Sequence, residues 1–287
     1  MGGKTMKKLF ALLLVLVFMV SLVACGSQKL TMRKLIDANQ SKTLLETHDS
    51  IHVQHKIAGE VYTEYYLTDT YSYENHGTWS MYVTNDTGYR YDNGMYGKIV
   101  CLTRDGLVDY ADYRAGQYED VVMSQESLVE KIQSVAETDN QITLTSYMNE
   151  KNLEKVVGVE SMHSYEATYV IDAETYGIMT IDATVTQDDG TTTDALMECS
   201  YNEEMPEGIK VFLEYENQIE NLRTVTLVFH VGTDKEKAER IQVPKGLSLW
   251  LIPGDAAEGF SVYADAACTV PHESNGDYTS DITVYIK

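Results

Sequence analysis

Apolar and polar residues alternate through most of the chain, from residue 51 to residue 215. Such alternation is typical of β-strands, because successive side chains of a strand point to opposite faces. Turn sequences such as Asn85-Asp86-Thr87-Gly88 and Asp188-Asp189-Gly190 separate the runs. The pattern therefore predicts about ten antiparallel strands, each with one buried and one polar face. The alternating runs cover residues 51–57, 61–67, 79–83, 89–91, 99–103, 142–144, 165–171, 179–185, 195–201 and 209–215.

Two segments carry helical spacing instead. Met32, Leu35 and Ile36 stand at i, i+3 and i+4 and predict short helices near 32–46, with Ser41 as a candidate cap for the second turn. The same spacing predicts an amphipathic helix near 124–136. Its cap would be Ser124, and its apolar residues are Leu128, Val129, Ile132, Val135 and Ala136.

A large antiparallel sheet twists and curls rather than staying flat. We therefore expect a mainly β protein with a few helices (α+β), in which residues 31–220 form a large curved antiparallel sheet or half-barrel with a helical lid. A closed barrel or a simpler sheet packed on helices would give the same periodicity.

The first residues are typical of a secretory signal. Lysines stand at positions 4, 7 and 8, and an apolar run over residues 9–22 follows without an acid. The run is short for a membrane span, which usually needs about 20 apolar residues. It ends in Leu22-Val23-Ala24-Cys25, which resembles the lipobox of bacterial lipoproteins. An ordinary signal peptide with a coincidental cysteine, or an uncleaved anchor, is the alternative.

The lipobox resemblance implies that residues 1–24 are removed and that the Cys25 thiol is lipidated, for example with palmitate. Residues 25–30 would then be a short tether. The acyl chains would hold the protein on the extracytoplasmic face of the bacterial cell membrane, because several chains anchor a protein far better than one.

The balance of charge is strongly acidic. The chain has 22 basic and 44 acidic residues, a formal net charge of −22, and removal of residues 1–24 would make it −25. This argues against nucleic acid as a partner, because proteins that bind phosphates present basic patches. It also disfavours attraction to anionic lipid headgroups. Solubility outside the cell explains the acidity more simply than an acidic binding face does.

Residues 222–287 read as a separate C-terminal unit. They contain a turn at Pro244-Lys245-Gly246, the stretch 265–269 and a terminal strand over 280–285. In order and spacing these features resemble the internalin B-repeat family, which implies a small β-grasp-like module used on surface proteins for spacing or contact. The paired glycines, the Gly-Trp pair and the closing tryptophan of that family are missing. Val262 and Tyr263 stand where the Gly-Trp pair would be.

Strand order and export together make residues 30–220 similar to the lipoprotein-carrier half-barrel family, including the late stretch 169–177. The resemblance implies that a lipid or an acylated ligand is held between a curved sheet and a helical lid.

The sequence assigns no catalytic, cofactor-binding or metal-ligating residue. Nucleophile, phosphate-loop and zinc motifs are missing. His52 and His55 would lie on opposite faces of a strand, which is poor for a shared metal ion. If Cys25 is lipidated, three cysteines remain. Cys101 and Cys199 both have inward-phased positions and could form a disulfide, or they could be inert buried thiols.

Tyrosine is unusually frequent, with 21 residues. It suits a groove for lipid, peptide or sugar, but it is equally a good strand residue, and we favour the structural role. The sequence thus predicts a non-catalytic, lipid-anchored surface protein that binds an apolar or amphipathic ligand or a surface protein partner. An adhesive or spacer protein acting through the C-terminal module is the alternative. A hydrolase of envelope polymers is a third and weaker one.

Overall fold

The computed structural model describes residues 30–103, 105–123, 131–138, 140–149, 162–217, 220–253, 261–272 and 279–287. The predicted signal peptide and Cys25 lie outside these residues, as does all of the tether except Leu30. The helices are α1 (Met32–Ala38), α2 (Ser41–Leu45), α3 (Tyr110–Gln117) and α4 (Lys210–Glu216), with a 3-10 turn at Glu207–Ile209. The short helices predicted near 32–46 are confirmed as α1 and α2.

Thirteen strands form one large sheet in the order β15-β6-β5-β4-β3-β2-β1-β12-β11-β10-β9-β8, with β7 paired to β6. Its neighbours pair antiparallel, except that β15 runs parallel to β6. The strands are β1 (Ile51–Ile57), β2 (Glu60–Leu67), β3 (Tyr71–Asn75), β4 (Trp79–Thr84), β5 (Gly88–Asp92), β6 (Met95–Thr103), β7 (Gly106–Leu107), β8 (Lys131–Glu137), β9 (Gln141–Asn149), β10 (Met162–Asp172), β11 (Ile178–Gln187), β12 (Thr192–Tyr201) and β15 (Ser248–Pro253).

The predicted fold class is confirmed. The chain is mostly β, and its large antiparallel sheet is open and curved and carries helices, with a smaller second sheet beside it. The two turns singled out in the sequence, at residues 85–88 and 188–190, join β4 to β5 and β11 to β12. Tight turns between neighbouring strands produce this meander, because each strand pairs with the one that precedes it.

The large sheet has two differently covered faces. On the first, which we call the helical face, Leu35, Ile36 and Leu44 of α1 and α2 pack with Ile51 and Val53 of β1 in one apolar core. On the second, which we call the tyrosine face, buried tyrosines pack against α4 and the second sheet. The tyrosines buried there are Tyr66, Tyr73, Tyr82 and Tyr89. The favoured structural role of tyrosine therefore holds for this group.

The second sheet has the order β14-β13-β17-β16. Its strands are β13 (Leu222–Phe229), β14 (Lys237–Pro244), β16 (Val262–Tyr263) and β17 (Ile282–Ile286), with β13 and β17 parallel. The unit over 222–287 is not closed on itself, because β15 leaves it and pairs with β6 of the large sheet. The turn at Pro244-Lys245-Gly246, where Gly246 has φ +84°, redirects the chain from one sheet to the other.

The helix predicted near 124–136 is wrong for its second half. Residues 131–137 form β8, an edge strand paired with β9, and residues 124–130 lie outside the described residues. A register shift between Ile132 and Ser134 places positions 132 and 135 opposite Ser146 and Leu144. Because those two partners are two residues apart on β9, positions 132 and 135 share one face. A β-bulge thus produced the spacing of three that resembled a helical turn.

The strand predicted over 209–215 is also wrong. Ile209 ends a 3-10 turn, and α4 begins at Lys210. The two side chains that are fully buried here are Ile209 and Phe212, three residues apart on one side of the helix. The alternation of apolar residues at 209, 211, 213 and 215 therefore did not report a strand, and the buried pair has helical spacing.

In the part of the chain that the structure describes, every helix falls short of the length and apolar character that a membrane-spanning helix needs.

Candidate functional site

A cavity of about 490 Å³ lies on the helical face, between α2, α3 and the hairpin formed by β2 and β3. Its size is within the range of small-molecule sites, about 300–1,000 Å³. The residues that line it are Ser41, Lys42, Leu45, Glu46, Leu67, Asp69, Ser72, Arg114, Ala115, Gly116, Tyr118 and Glu119.

The cavity is held open by contacts between the helices that surround it. The Ser41 hydroxyl donates to the Tyr118 carbonyl oxygen at 2.5 Å, and the Ser41 backbone N–H donates to the Glu119 carbonyl oxygen at 3.0 Å. These bonds fix the start of α2 to the turn after α3. Ser41 was expected to cap a helix, but Gln40 is the cap residue, and the Ser41 hydroxyl serves this tertiary contact.

Asn39 anchors the helices to the far half of the sheet. It is fully buried, and its side-chain amide donates to the Tyr176 carbonyl oxygen at 2.8 Å. Its side-chain oxygen accepts from the Ile178 backbone N–H at 2.8 Å. Because a buried amide with satisfied donors and acceptor fixes one geometry, Asn39 positions α1 and α2 against β11.

Arg114 forms one wall of the cavity and joins three segments. Its Nη1 donates to the Thr68 carbonyl oxygen at 2.8 Å, and its Nη2 donates to the Asp69 carbonyl oxygen. Its Nε donates to Asn85 Oδ1 at 3.1 Å. Burial lowers the pKa of Arg114 from its ordinary value, with Asp69 opposing the shift. The guanidinium is thus committed to holding α3 on two hairpin turns.

The cavity combines an apolar interior with a charged rim. Leu67 and Tyr118 are buried, at 1% and 4% exposure, and Leu45 is half-buried beside them. The rim carries four charged side chains besides Arg114. They are Lys42, Glu46, Asp69 and Glu119, all exposed. This arrangement fits a molecule with an apolar part and a polar head.

A second cavity of about 350 Å³ adjoins the first and shares Gly116 and Glu119 with it. Glu74 and His55 line it. Burial raises the pKa of Glu74 to about 7, and Arg90 lowers it only in part. The Tyr118 hydroxyl also opposes this shift, but it lacks the geometry of a full hydrogen bond. Burial lowers the pKa of His55, and His76 lowers it further.

Stacked side chains continue from these cavities to the β15 edge of the sheet. The His76 and Trp79 rings stack at 3.9 Å, and the Arg90 guanidinium lies over the Trp79 ring at 4.7 Å. It also lies over the Trp250 ring at 4.9 Å. Arg90 Nη2 forms an ion pair with Asp92 at 2.9 Å. Sequence reasoning did not find this group, because no motif announces a row of residues contributed by separate strands.

The structure separates the residues that the sequence singled out. His52 lies on the tyrosine face, where its Nε2 contacts Glu64 Oε1 and its Nδ1 contacts Glu203 Oε2, both at 2.9 Å. His55 lies on the helical face beside Tyr65. The predicted opposite orientation of His52 and His55 is therefore confirmed. Across the described residues, no group of three or more His, Cys, Asp or Glu side chains could hold one metal ion.

The candidate Cys101–Cys199 disulfide is not formed in the structure, where both residues are buried free thiols. Both do face the helical core, as their phase predicted. However, β6 and β12 are separated by five strands, and neighbouring strands lie about 4.8 Å apart. The two Cα atoms are thus too distant for a disulfide. Burial raises the pKa of each thiol to about 12.

No protein-family model and no curated protein sequence matches the chain. Two solved structures are similar in parts of their fold. LprF from Mycobacterium bovis is 12% identical, with a TM-score of 0.29, and the match covers 60% of this chain and 93% of that one. A LolA superfamily protein from Nitrosomonas europaea is 5% identical, with a TM-score of 0.22, and the match covers 63% of this chain and 97% of that one. These values do not place the chain in a family.

Proposed function

We propose that this chain is a non-catalytic, lipid-anchored surface protein that binds an amphipathic small molecule on the helical face of its large sheet. The observation that carries the proposal is the cavity of about 490 Å³ between α2, α3 and the β2–β3 hairpin. Burial of an apolar ligand surface of this extent is the main source of affinity in such sites, and a few polar groups fix the orientation.

The walls of the cavity support a binding role because they are held in place without a ligand. Ser41, Asn39 and Arg114 each make hydrogen bonds that join separate segments of the chain. A site whose walls are already ordered requires little further loss of conformational entropy when the ligand enters.

Native mass spectrometry of the protein, extracted from its own membrane in mild detergent, tests this proposal. Ala115 is exposed on α3 and lines the cavity, so Ala115→Trp would fill the cavity with little effect on the fold. Asp112→Trp places the same indole on α3 outside the lining and serves as the matched control. We expect a bound small molecule on the natural protein and on D112W, and its loss from A115W.

The proposal would be contradicted by a natural protein that is always recovered without added mass. Equal loading of the natural protein and A115W would contradict the location of the site. Circular dichroism melting of both tryptophan variants shows whether either substitution has unfolded the chain.

The proposed address depends on Cys25, which the sequence places at the end of a lipobox. Cys25→Ser removes the thiol that would receive the lipid. We expect this variant to keep its leader or to leave the membrane fraction, and to lose incorporation of a labelled palmitate analogue. Membrane association and labelling that persist in Cys25→Ser would show that the anchor is wrong.

The resemblance of residues 222–287 to the internalin B-repeat family stays a prediction, as does the alternative of an adhesive or spacer protein. Because β15 is an edge strand of the large sheet, deletion of residues 222–287 would also damage the helical face. Substitutions at exposed positions of β14, such as Arg240→Glu and Gln242→Glu, test a contact role more cleanly. Lost surface contact with unchanged ligand loading would favour the alternative.

A further inference from the structure

Two buried hydroxyl groups lie at the cavity without a hydrogen-bond partner. Ser72 is 1% exposed and Tyr118 is 4% exposed, and both residues line the cavity of about 490 Å³. Neither Ser72 Oγ nor Tyr118 Oη has a hydrogen bond in the structure. Buried polar groups are nearly always satisfied, so each such group needs an explanation. Both can donate one hydrogen bond to an acceptor atom.

The two hydroxyls come from different parts of the chain and converge on one place. Ser72 is on β3, opposite Val83 of β4, and therefore faces the helical core. Tyr118 follows α3 directly and is held by the bond from the Ser41 hydroxyl to its carbonyl oxygen. Leu67, which pairs with Ser72 across β2 and β3, and Leu45 provide the adjoining apolar wall.

The charges around the cavity disfavour an anionic ligand. The three donor nitrogens of Arg114 are directed to Thr68, Asp69 and Asn85. Of the basic residues that line the cavity, Lys42 remains, and it faces three exposed carboxylates there. These belong to Glu46, Asp69 and Glu119. An added negative charge would therefore be repelled more than attracted.

We propose that the ligand is an uncharged acyl ester or amide whose carbonyl oxygen accepts hydrogen bonds from Ser72 and Tyr118. Its acyl chain lies against Leu45 and Leu67, and its uncharged polar head reaches the charged rim. This inference rests on the proposed function, since it names the chemistry of the molecule that the same cavity binds. A carbonyl oxygen has two lone pairs and can accept from both hydroxyls at once.

Three probes of equal chain length test the proposal by titration against the delipidated full protein. A monoacylglycerol carries the ester carbonyl, the matched alkylglycerol ether lacks it, and the free fatty acid carries a carboxylate instead. We expect the ester to bind about tenfold more tightly than the ether, because the ether leaves both buried donors unpaired. The fatty acid should bind more weakly than the ester at pH 8.

Ser72→Ala and Tyr118→Phe each remove one hydroxyl and little else. In each variant the preference for ester over ether should fall at least about threefold, through weaker ester binding with unchanged ether binding. Ser72→Ala carries the test if Tyr118→Phe fails to fold. Equal affinities for ester and ether in the natural protein would overturn the proposal, as would a preference for the fatty acid.

The two levels of the proposal fail differently. If none of the three probes binds, but the protein extracted from membranes carries a small molecule that Ala115→Trp displaces, the ligand class is wrong and the binding function stands. If neither probe binding nor an extracted molecule is found, the binding function itself is wrong.

Discussion

The Trp250 side chain lies directly on the backbone of Gly97. A Cβ atom added at Gly97 would be 2.2 Å from Trp250 Cδ1 and 2.3 Å from Nε1. Gly97 is on β6, and Trp250 is on β15, the strand that leaves the C-terminal unit. The absence of a side chain at residue 97 therefore lets β15 place an indole against Arg90 on the helical face.

Gly97→Ala should destabilise the protein by about 1–3 kcal/mol, because the methyl group forces the buried indole out of its position. Urea unfolding at pH 7 measures the change, and tryptophan fluorescence reports whether Trp250 has moved. In a Trp250→Ala background the same substitution should cost less than about 0.5 kcal/mol. An equal cost in both backgrounds would contradict the contact.

His52→Gln should change the pH dependence of stability. The hydrogen bond with Glu64 raises the pKa of His52, against the effect of burial, and Glu203 adds to the rise. A raised pKa means that the contribution of His52 is fully present below about pH 6.5 and is lost as pH rises through the folded-state pKa. The stability difference between the natural protein and H52Q should therefore shrink between pH 6 and pH 8.5 in urea unfolding.

His55→Gln is the matched control for that experiment, since the two histidines are on the same strand. Burial lowers the pKa of His55, so its contribution has the opposite sign. It is present above about pH 6.5 and is lost as pH falls. The difference between the natural protein and H55Q should grow as pH rises from 5 to 7. The same trend for both variants would show that the environments are assigned wrongly.

Glu74→Gln should stabilise the protein at pH 8.5 and have little effect at pH 5. Burial raises the pKa of Glu74 from 4.5 to about 7, so the folded state disfavours the ionised form that the unfolded state adopts freely. Stability should fall as pH rises between these values. Such a shift corresponds to a gain of up to about 3 kcal/mol at high pH. Glu60→Gln, at an exposed position, should change stability by less than about 0.5 kcal/mol at either pH.

Phe212→Ala should cost about 3–5 kcal/mol, because it removes a fully buried ring from the tyrosine face. The Phe212 ring stacks on Tyr82 at 5.9 Å and contacts Tyr96 at 6.0 Å. Glu214→Ala on the same helix is exposed and should stay within about 0.5 kcal/mol of the natural protein. Similar unfolding midpoints for the two variants would contradict the packing of α4 on the sheet.

Strand content could be predicted from the sequence wherever one side of the strand packs against an apolar core. Ile51 and Val53 of β1 are fully buried, and the alternating His52 and Gln54 are half-buried on the other face. The pattern was lost where both faces are covered. In β4, the four residues from Ser80 to Val83 are all buried, because α3 covers one face and α4 covers the other.

The candidate site could be predicted only as a location under a helical lid. The two cysteines show why: their inward phase was correct, but phase does not give the order of strands in the sheet. Likewise, nothing near Trp250 in the sequence indicates that β15 would join β6 rather than β14. The meeting of Ser72 with Tyr118 depends on long-range packing, which sequence periodicity does not encode.

The central claim is that an acyl amphipath binds on the helical face, and photo-crosslinking tests it most directly. A monoacylglycerol with a diazirine in its acyl chain would be irradiated with the full protein and the labelled peptides mapped. We predict label within residues 41–46, 67–72 and 114–119, removed by unlabelled monoacylglycerol and by Ala115→Trp. Label confined to α4 or the second sheet, or label that unlabelled ligand does not compete away, would contradict the claim.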